Sequence, residues 1–168
     1  MFIFVALFSL TVFAQNVTEF GSPSELKGVT KIFISLVYQG SVELKDRDRI
    51  IKEIEKGKMK NKITNLEIVS RPENAEVILI YSEEIESQIS GAVTNKIGNT
   101  PVTTVNRRKE WIGKGIVVKP LPDGKQRLIM DSTNSQVNAF QDAPATSFGH
   151  DFIKAYIKAN ASVTDKKK

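Results

Sequence analysis

The sequence predicts an α+β domain: a mixed sheet of five or six strands with two main helices packed on it, in the order β-α-β-β-(long loop)-β-β-β-α. Three observations carry the prediction. Residues 31–38 (KIFISLVY) and 75–81 (AEVILIY) are nearly continuous apolar and β-branched runs, as in strands covered on both faces. Phe148, Phe152, Ala155, Tyr156 and Ala159 recur at the spacing of one helix face. Between these segments, residues 102–132 alternate apolar stretches with Gly- and Pro-containing turns, the pattern of a meander.

The elements follow in order. From Asp46, Ile50, Ile51 and Ile54 stand among alternating charges and Gly57 occupies a helix-ending position, which predicts about three helical turns with one narrow face on the sheet. Leu66 to Val69 reads as a short strand, and Arg71-Pro72-Glu73-Asn74 as a turn into the 75–81 strand. Residues 82–101, rich in Ser, Thr, Asn and Gly with scattered Ile and Val, read as a long loop. The meander then runs as strands at 102–112, 116–119 and 127–132, with turns at Gly113-Lys114-Gly115 and Pro122-Asp123-Gly124. In the second turn proline presets φ and glycine accepts a positive φ. Pro144 opens the final helix, since a first-turn residue needs no N–H donor.

The 168 residues suit one domain at 31–160, with 15–30 as a flexible lead-in and 161–168, ending in Lys166-Lys167-Lys168, as a basic disordered tail. Residues 1–14 (MFIFVALFSLTVFA) are uncharged and shorter than the roughly 20 residues a spanning helix needs. Val12 and Ala14 put small residues at the two positions a signal peptidase inspects, so this segment reads as a signal peptide cleaved near Ala14. That reading makes the mature chain periplasmic or secreted and without a transmembrane anchor. The absence of cysteine removes disulfides, thiol catalysis, thiolate metal sites and lipid attachment at a cysteine.

Chemistry is sparse. A triad or zinc site would have to be built around His150, which lies about 200° round its helix from Phe148 and faces water. No GxSxG, P-loop or GxGxxG is present, so no catalytic, cofactor-binding or metal residues are assigned and no cofactor is expected. Glu83, Glu84 and Glu86 form an acidic knot at a strand end, and Asp131 sits on an exposed strand face. A carboxylate-dependent hydrolase needs two of these within about 5 to 10 Å in a pocket. The charge distribution says more: residues 67–86 carry six Glu against one Arg, whereas 96–127 carry eight Lys and Arg against two acids. Arg107, Arg108, Lys109, Trp111 and Lys114 form the one cluster that resembles an anion-binding surface with an aromatic beside it. Alternation along a strand puts Arg108 on the face opposite Arg107 and Lys109. In an exported protein the partner of such a cluster is an envelope protein or an anionic envelope polymer, not nucleic acid; read more simply, the charge keeps a meander soluble.

Read in order, LKGVTKIFI, the charged helix from Asp46, LEIVSRPENAEVILIY, residues 117–128 and the FGHDFIKAYIKAN helix resemble a group of uncharacterised small exported bacterial proteins. The resemblance covers most of residues 26–160 and implies a shared fold and export, with no activity attached. The same element order is more distantly similar to the α+β domain of envelope lipoproteins such as the curli secretion channel and penicillin-binding-protein activators, whose lipidated cysteine this chain lacks. Together these readings favour a non-catalytic envelope or secreted binding or assembly module, with a polyanion binder and a carboxylate-dependent hydrolase as the alternatives.

Overall fold

A computed structural model describes residues 17–40, 42–97, 100–138 and 141–161. The segment 1–14 read as a signal peptide, and all but the first residue of the segment 161–168 read as a basic tail, lie outside the described residues. The chain forms β1 (Val17–Phe20), β2 (Lys31–Gly40), α1 (Leu44–Lys60), β3 (Glu67–Ile68), β4 (Val77–Ile97), β5 (Thr100–Pro120), β6 (Gln126–Gln136) and α2 (Pro144–Asn160). Short 3₁₀ turns occupy Pro23–Leu26 and Pro72–Asn74. The fold is α+β, with a six-stranded sheet in the order β1-β6-β5-β4-β2-β3. β2 pairs in parallel with β3 and β4, β6 in parallel with β1, and β4-β5-β6 form an antiparallel meander.

Both helices lie on one face of the sheet. Val77, Leu79 and Tyr81 of β4 point into a core shared with Ile32 and Ile34 of β2, Ile50 and Ile54 of α1, and Phe148, Phe152 and Tyr156 of α2. The intervening Ile78 and Ile80 join Val118 in a smaller apolar cluster on the opposite face. The continuous runs in β2 and β4 thus reflect burial on both sides, as the pattern requires. In α2 the stripe read from the sequence is the buried face: Phe148, Phe152 and Tyr156 are buried, with Ala155 and Ala159 packed against the same core.

Four boundaries differ from the sequence reading. Residues 17–20, read as lead-in, pair with β6 through Val17↔Gln126 and Phe20↔Leu128. The following turn is tied down: the Tyr156 hydroxyl donates to the Val29 carbonyl at 2.9 Å, and Asn160 brackets the turn through Leu26 O and Gly28 N. Second, α1 continues through Gly57 to Lys60. Gly57 is a close-approach residue, since a Cβ there would sit 2.5 Å from Ile153 Cγ1 of α2. Third, Gly113-Lys114-Gly115 is no turn but the middle of β5, so the two strands expected at 102–112 and 116–119 are one. A Cβ at Gly113 would collide with Tyr81 and Pro144, and one at Gly115 with the Phe148 ring, so bare backbone lets α2 lie directly on β5. Fourth, residues 82–97 and 100–101, read as part of a long loop, continue β4 and begin β5. The Pro122-Asp123-Gly124 turn forms as expected, with Gly124 at φ +78.

Candidate interaction arm

β4 and β5 leave the sheet together. The last residue of β2 to pair with β4 is Gly40, opposite Glu83, and β6 ends its pairing with β5 at Gln136, opposite Trp111. From Glu86↔Glu110 to Ile97↔Thr100 the two strands pair, among the described residues, only with each other. At about 3.3 Å per residue, this two-stranded ribbon projects roughly 35 Å beyond the layered domain.

Local chemistry supports the ribbon. Val93, Thr94, Val102, Thr103, Thr104 and Val105 favour a pleated backbone, and the hydroxyls of Thr94 and Thr103 lie 2.9 Å apart across the ladder. A bulge between Ile89 and Gly91 leaves Ser90 as the extra residue, and its hydroxyl donates to Asn106 O at 3.2 Å. The missed signal was Gly98-Asn99 between two runs of high strand propensity, a two-residue hairpin signature. Neither face of the ribbon is packed among the described residues, so hydrophobic alternation, the usual strand signal, is weak there.

The pairing fixes which side chains share a face. Continuing from Tyr81, the helix-side face carries Ile85, Ser87 and Ile89 opposite Trp111, Lys109 and Arg107. The other face carries Glu84, Glu86 and Gln88 opposite Ile112, Glu110 and Arg108. The five residues of the basic cluster are therefore divided: Arg107, Lys109 and Trp111 on one face, Arg108 and Lys114 on the other. Lys114 pairs with Glu84 at 3.3 Å, whereas Arg107, Arg108 and Lys109 enter no ion pair among the described residues. Ile85, Ile89, Val93, Val102 and Val105 are 40–67% exposed on the same ribbon.

At the root of the arm, Trp111 and Ile85 line a pocket of about 310 Å³ with Glu43, Arg49, Glu83 and Pro144. Tyr81 donates its hydroxyl to Glu83 Oε2 at 2.7 Å and stacks on Phe148 with centroids 5.8 Å apart. Burial first, and then the bond to Glu83, push the Tyr81 hydroxyl far above its ordinary value. Glu84 and Glu86 share a face two residues apart, but both are exposed to solvent and Glu84 is held by Lys114. Glu83 is buried on the helix side, while Glu84 and Asp131 stand on the opposite face, and Asp131 pairs with Ile116, four residues along β5 from the partner of Glu84. At strand rise that separation is about 13 Å, too far for a shared proton or bond cleavage. His150 is exposed on α2, beside a groove it shares with Glu53, Lys56 and Lys154. No helix among the described residues is long and apolar enough to cross a membrane.

Neither a protein-family model nor a curated protein matches the sequence. Among solved structures, the chain is similar to a PelC variant dodecamer from Paraburkholderia phytofirmans, at 10% identity and a TM-score of 0.44, over 86% of this chain and 95% of that one.

Proposed function

We propose that this chain is an exported, non-catalytic binding or assembly module of the envelope or extracellular space, with the β4-β5 arm as its docking element. The observation that carries this reading is the ribbon itself, a two-stranded extension with exposed apolar and cationic side chains and, among the described residues, no layer of its own chain against it. Such a ribbon is marginally stable alone in water, so its length and composition fit an element completed by a partner. The signal-like N terminus supports export. The burial of Glu83 on one face and the solvent exposure of Glu84, Glu86 and Asp131 on the other speak against the hydrolase alternative, and the sharing of a face by Arg107, Lys109 and Trp111 supports an anionic polymer as a second class of partner.

The test is to recover the chain from its host by cell fraction and measure its mass, both free and in its native complex. A second form has residues 87–109 excised and Glu86 joined to Glu110 through an Asn-Gly turn. The full chain is expected in the envelope or medium, starting near Gln15 and in a complex heavier than one copy. The excised form should keep its fold and run as a single copy. An excised chain found in an unchanged complex would refute the role of the arm, and an intact Met1 in the cytoplasm would refute export.

A further inference from the structure

The two faces of the arm differ in how their charges are met. The acids between Glu84 and Trp111, namely Glu84, Glu86 and Glu110, all stand on the face turned away from the helices. There Lys114 pairs with Glu84 at 3.3 Å, and the Gln88 amide donates to Glu110 Oε2 at 2.7 Å. The helix-side face carries no acid outward of the buried Glu83, whose carboxylate accepts the Tyr81 hydroxyl. Along β5 this face presents Arg107, Lys109 and Trp111 at intervals of about 7 Å, with Ile89, Ser87 and Ile85 of β4 opposite them. Arg107 and Lys109 enter no ion pair among the described residues, and Ile85 and Ile89 are 47% and 67% exposed. The same face meets the helix layer at a corner, where Trp111 and Ile85 line the root pocket with Arg49 of α1 and Pro144 of α2. On that wall Arg49 is held by Asp46 at 2.7 Å and Lys45 by Glu43 at 2.6 Å. The charges of the corner left without an ion pair are thus Arg107 and Lys109, both positive.

We propose that this corner holds an acidic segment of another protein, with its carboxylates on Arg107 and Lys109 and an apolar side chain beside Trp111 in the root pocket. The inference rests on the reading of the arm as a docking element and names the face used and the chemistry of the partner. Alternate side chains of an extended chain recur at about 7 Å, the spacing of Arg107, Lys109 and Trp111 along β5, so an acid-x-acid-x-apolar run laid on this face reaches all of them. Arg and Trp are the side chains that most often anchor protein interfaces, and Ile85 and Ile89 supply apolar area that excludes water around them. Those aliphatic side chains argue against a hydrated polyanion, which would leave them in water. The helix layer beside the arm argues against a lipid surface, since a flat bilayer cannot enter the corner to reach Trp111 and Ile85, whereas a single polypeptide segment can.

The experiment places the photo-crosslinking residue p-benzoylphenylalanine in the full chain, in its host, at Ile89 on the corner face or at Gln88 on the opposite face. Mass spectrometry then identifies what each probe captures. The probe at Ile89 should capture a segment of another protein in which acids alternate with apolar residues, and the probe at Gln88 should capture little of it. Two substitutions of equal charge change separate the faces further. With the probe at Ile89, Lys109→Glu should lower the adduct yield about tenfold, whereas Arg108→Glu should leave it within about twofold, because Lys109 shares the corner and Arg108 does not. Both positions are exposed, so the fold should be unchanged, which thermal unfolding of each variant checks. An adduct that forms equally from Gln88, or that survives Lys109→Glu, would overturn the corner as the site while leaving the arm as a docking element. An Ile89 adduct to a polysaccharide, a lipid or a second copy of this chain would overturn the partner chemistry and likewise leave the arm its role. Folded chain that yields no adduct from either position would overturn both the corner and the docking role of the arm.

Discussion

At the residue scale, two buried tyrosines set how the fold responds to alkali. Burial raises the hydroxyl pKa of Tyr156 and, with Glu83, that of Tyr81 above the ordinary value of 10. A group whose folded pKa lies above its unfolded one contributes stability that is fully present below the unfolded pKa and lost as pH rises beyond it. Stability should therefore be flat through neutral pH and fall from about pH 10 upward. Absorbance at 295 nm should show the two buried hydroxyls ionising together with unfolding, and Tyr81→Phe should flatten the decline. Two buried tyrosines that titrate near pH 10 in the folded protein would contradict this account. Gly115 gives a second residue-scale test. Gly115→Ala places a methyl against the Phe148 ring and should cost about 1–3 kcal/mol in urea unfolding. In a Phe148→Ala background, where the ring is gone, the same substitution should cost far less, and an undiminished cost would show that the ring is not the obstacle.

At the element scale, the parts legible in the sequence were those whose burial is asymmetric or complete. The α2 stripe of Phe148, Phe152 and Tyr156 reads directly because one face enters the core. β2 and the first part of β4 read as strands because both faces are covered. The arm did not read as a strand pair, since residues 84–90 and 92–96 are exposed on both faces and selection for alternation is absent there. Gly113 and Gly115 were misread for a different reason: their lack of a side chain answers to Pro144, Tyr81 and Phe148, contacts that exist only in the tertiary structure. The basic cluster was visible from composition, and the alternation rule correctly divided Arg108 from Arg107 and Lys109. What it gave no hint of was the platform, a ribbon that carries these residues clear of the domain.

At the scale of the whole molecule, the chain divides into a layered domain with a two-sided core and an arm that buries almost nothing. Local stability should follow that division, because opening the arm breaks hydrogen bonds at the surface while opening the domain exposes Phe148, Phe152 and Tyr81. Trypsin at low enzyme ratio should therefore cut first at Arg107, Arg108 and Lys109, with Lys96 next, although α1 offers many more basic residues on a packed helix. The two nicked fragments should elute together. β2 and the root of β4 remain paired with the rest of β5 and β6, and α2 still spans β5 and α1. Where a partner covers the arm in the native complex, the same cuts should slow as the concentration of the complex rises and speed up again as salt screens the exposed charges over about a Debye length of 8 Å at physiological ionic strength. First cuts within α1, at a rate independent of both concentration and salt, would mean that the arm is neither the weakest element nor the one that a partner covers.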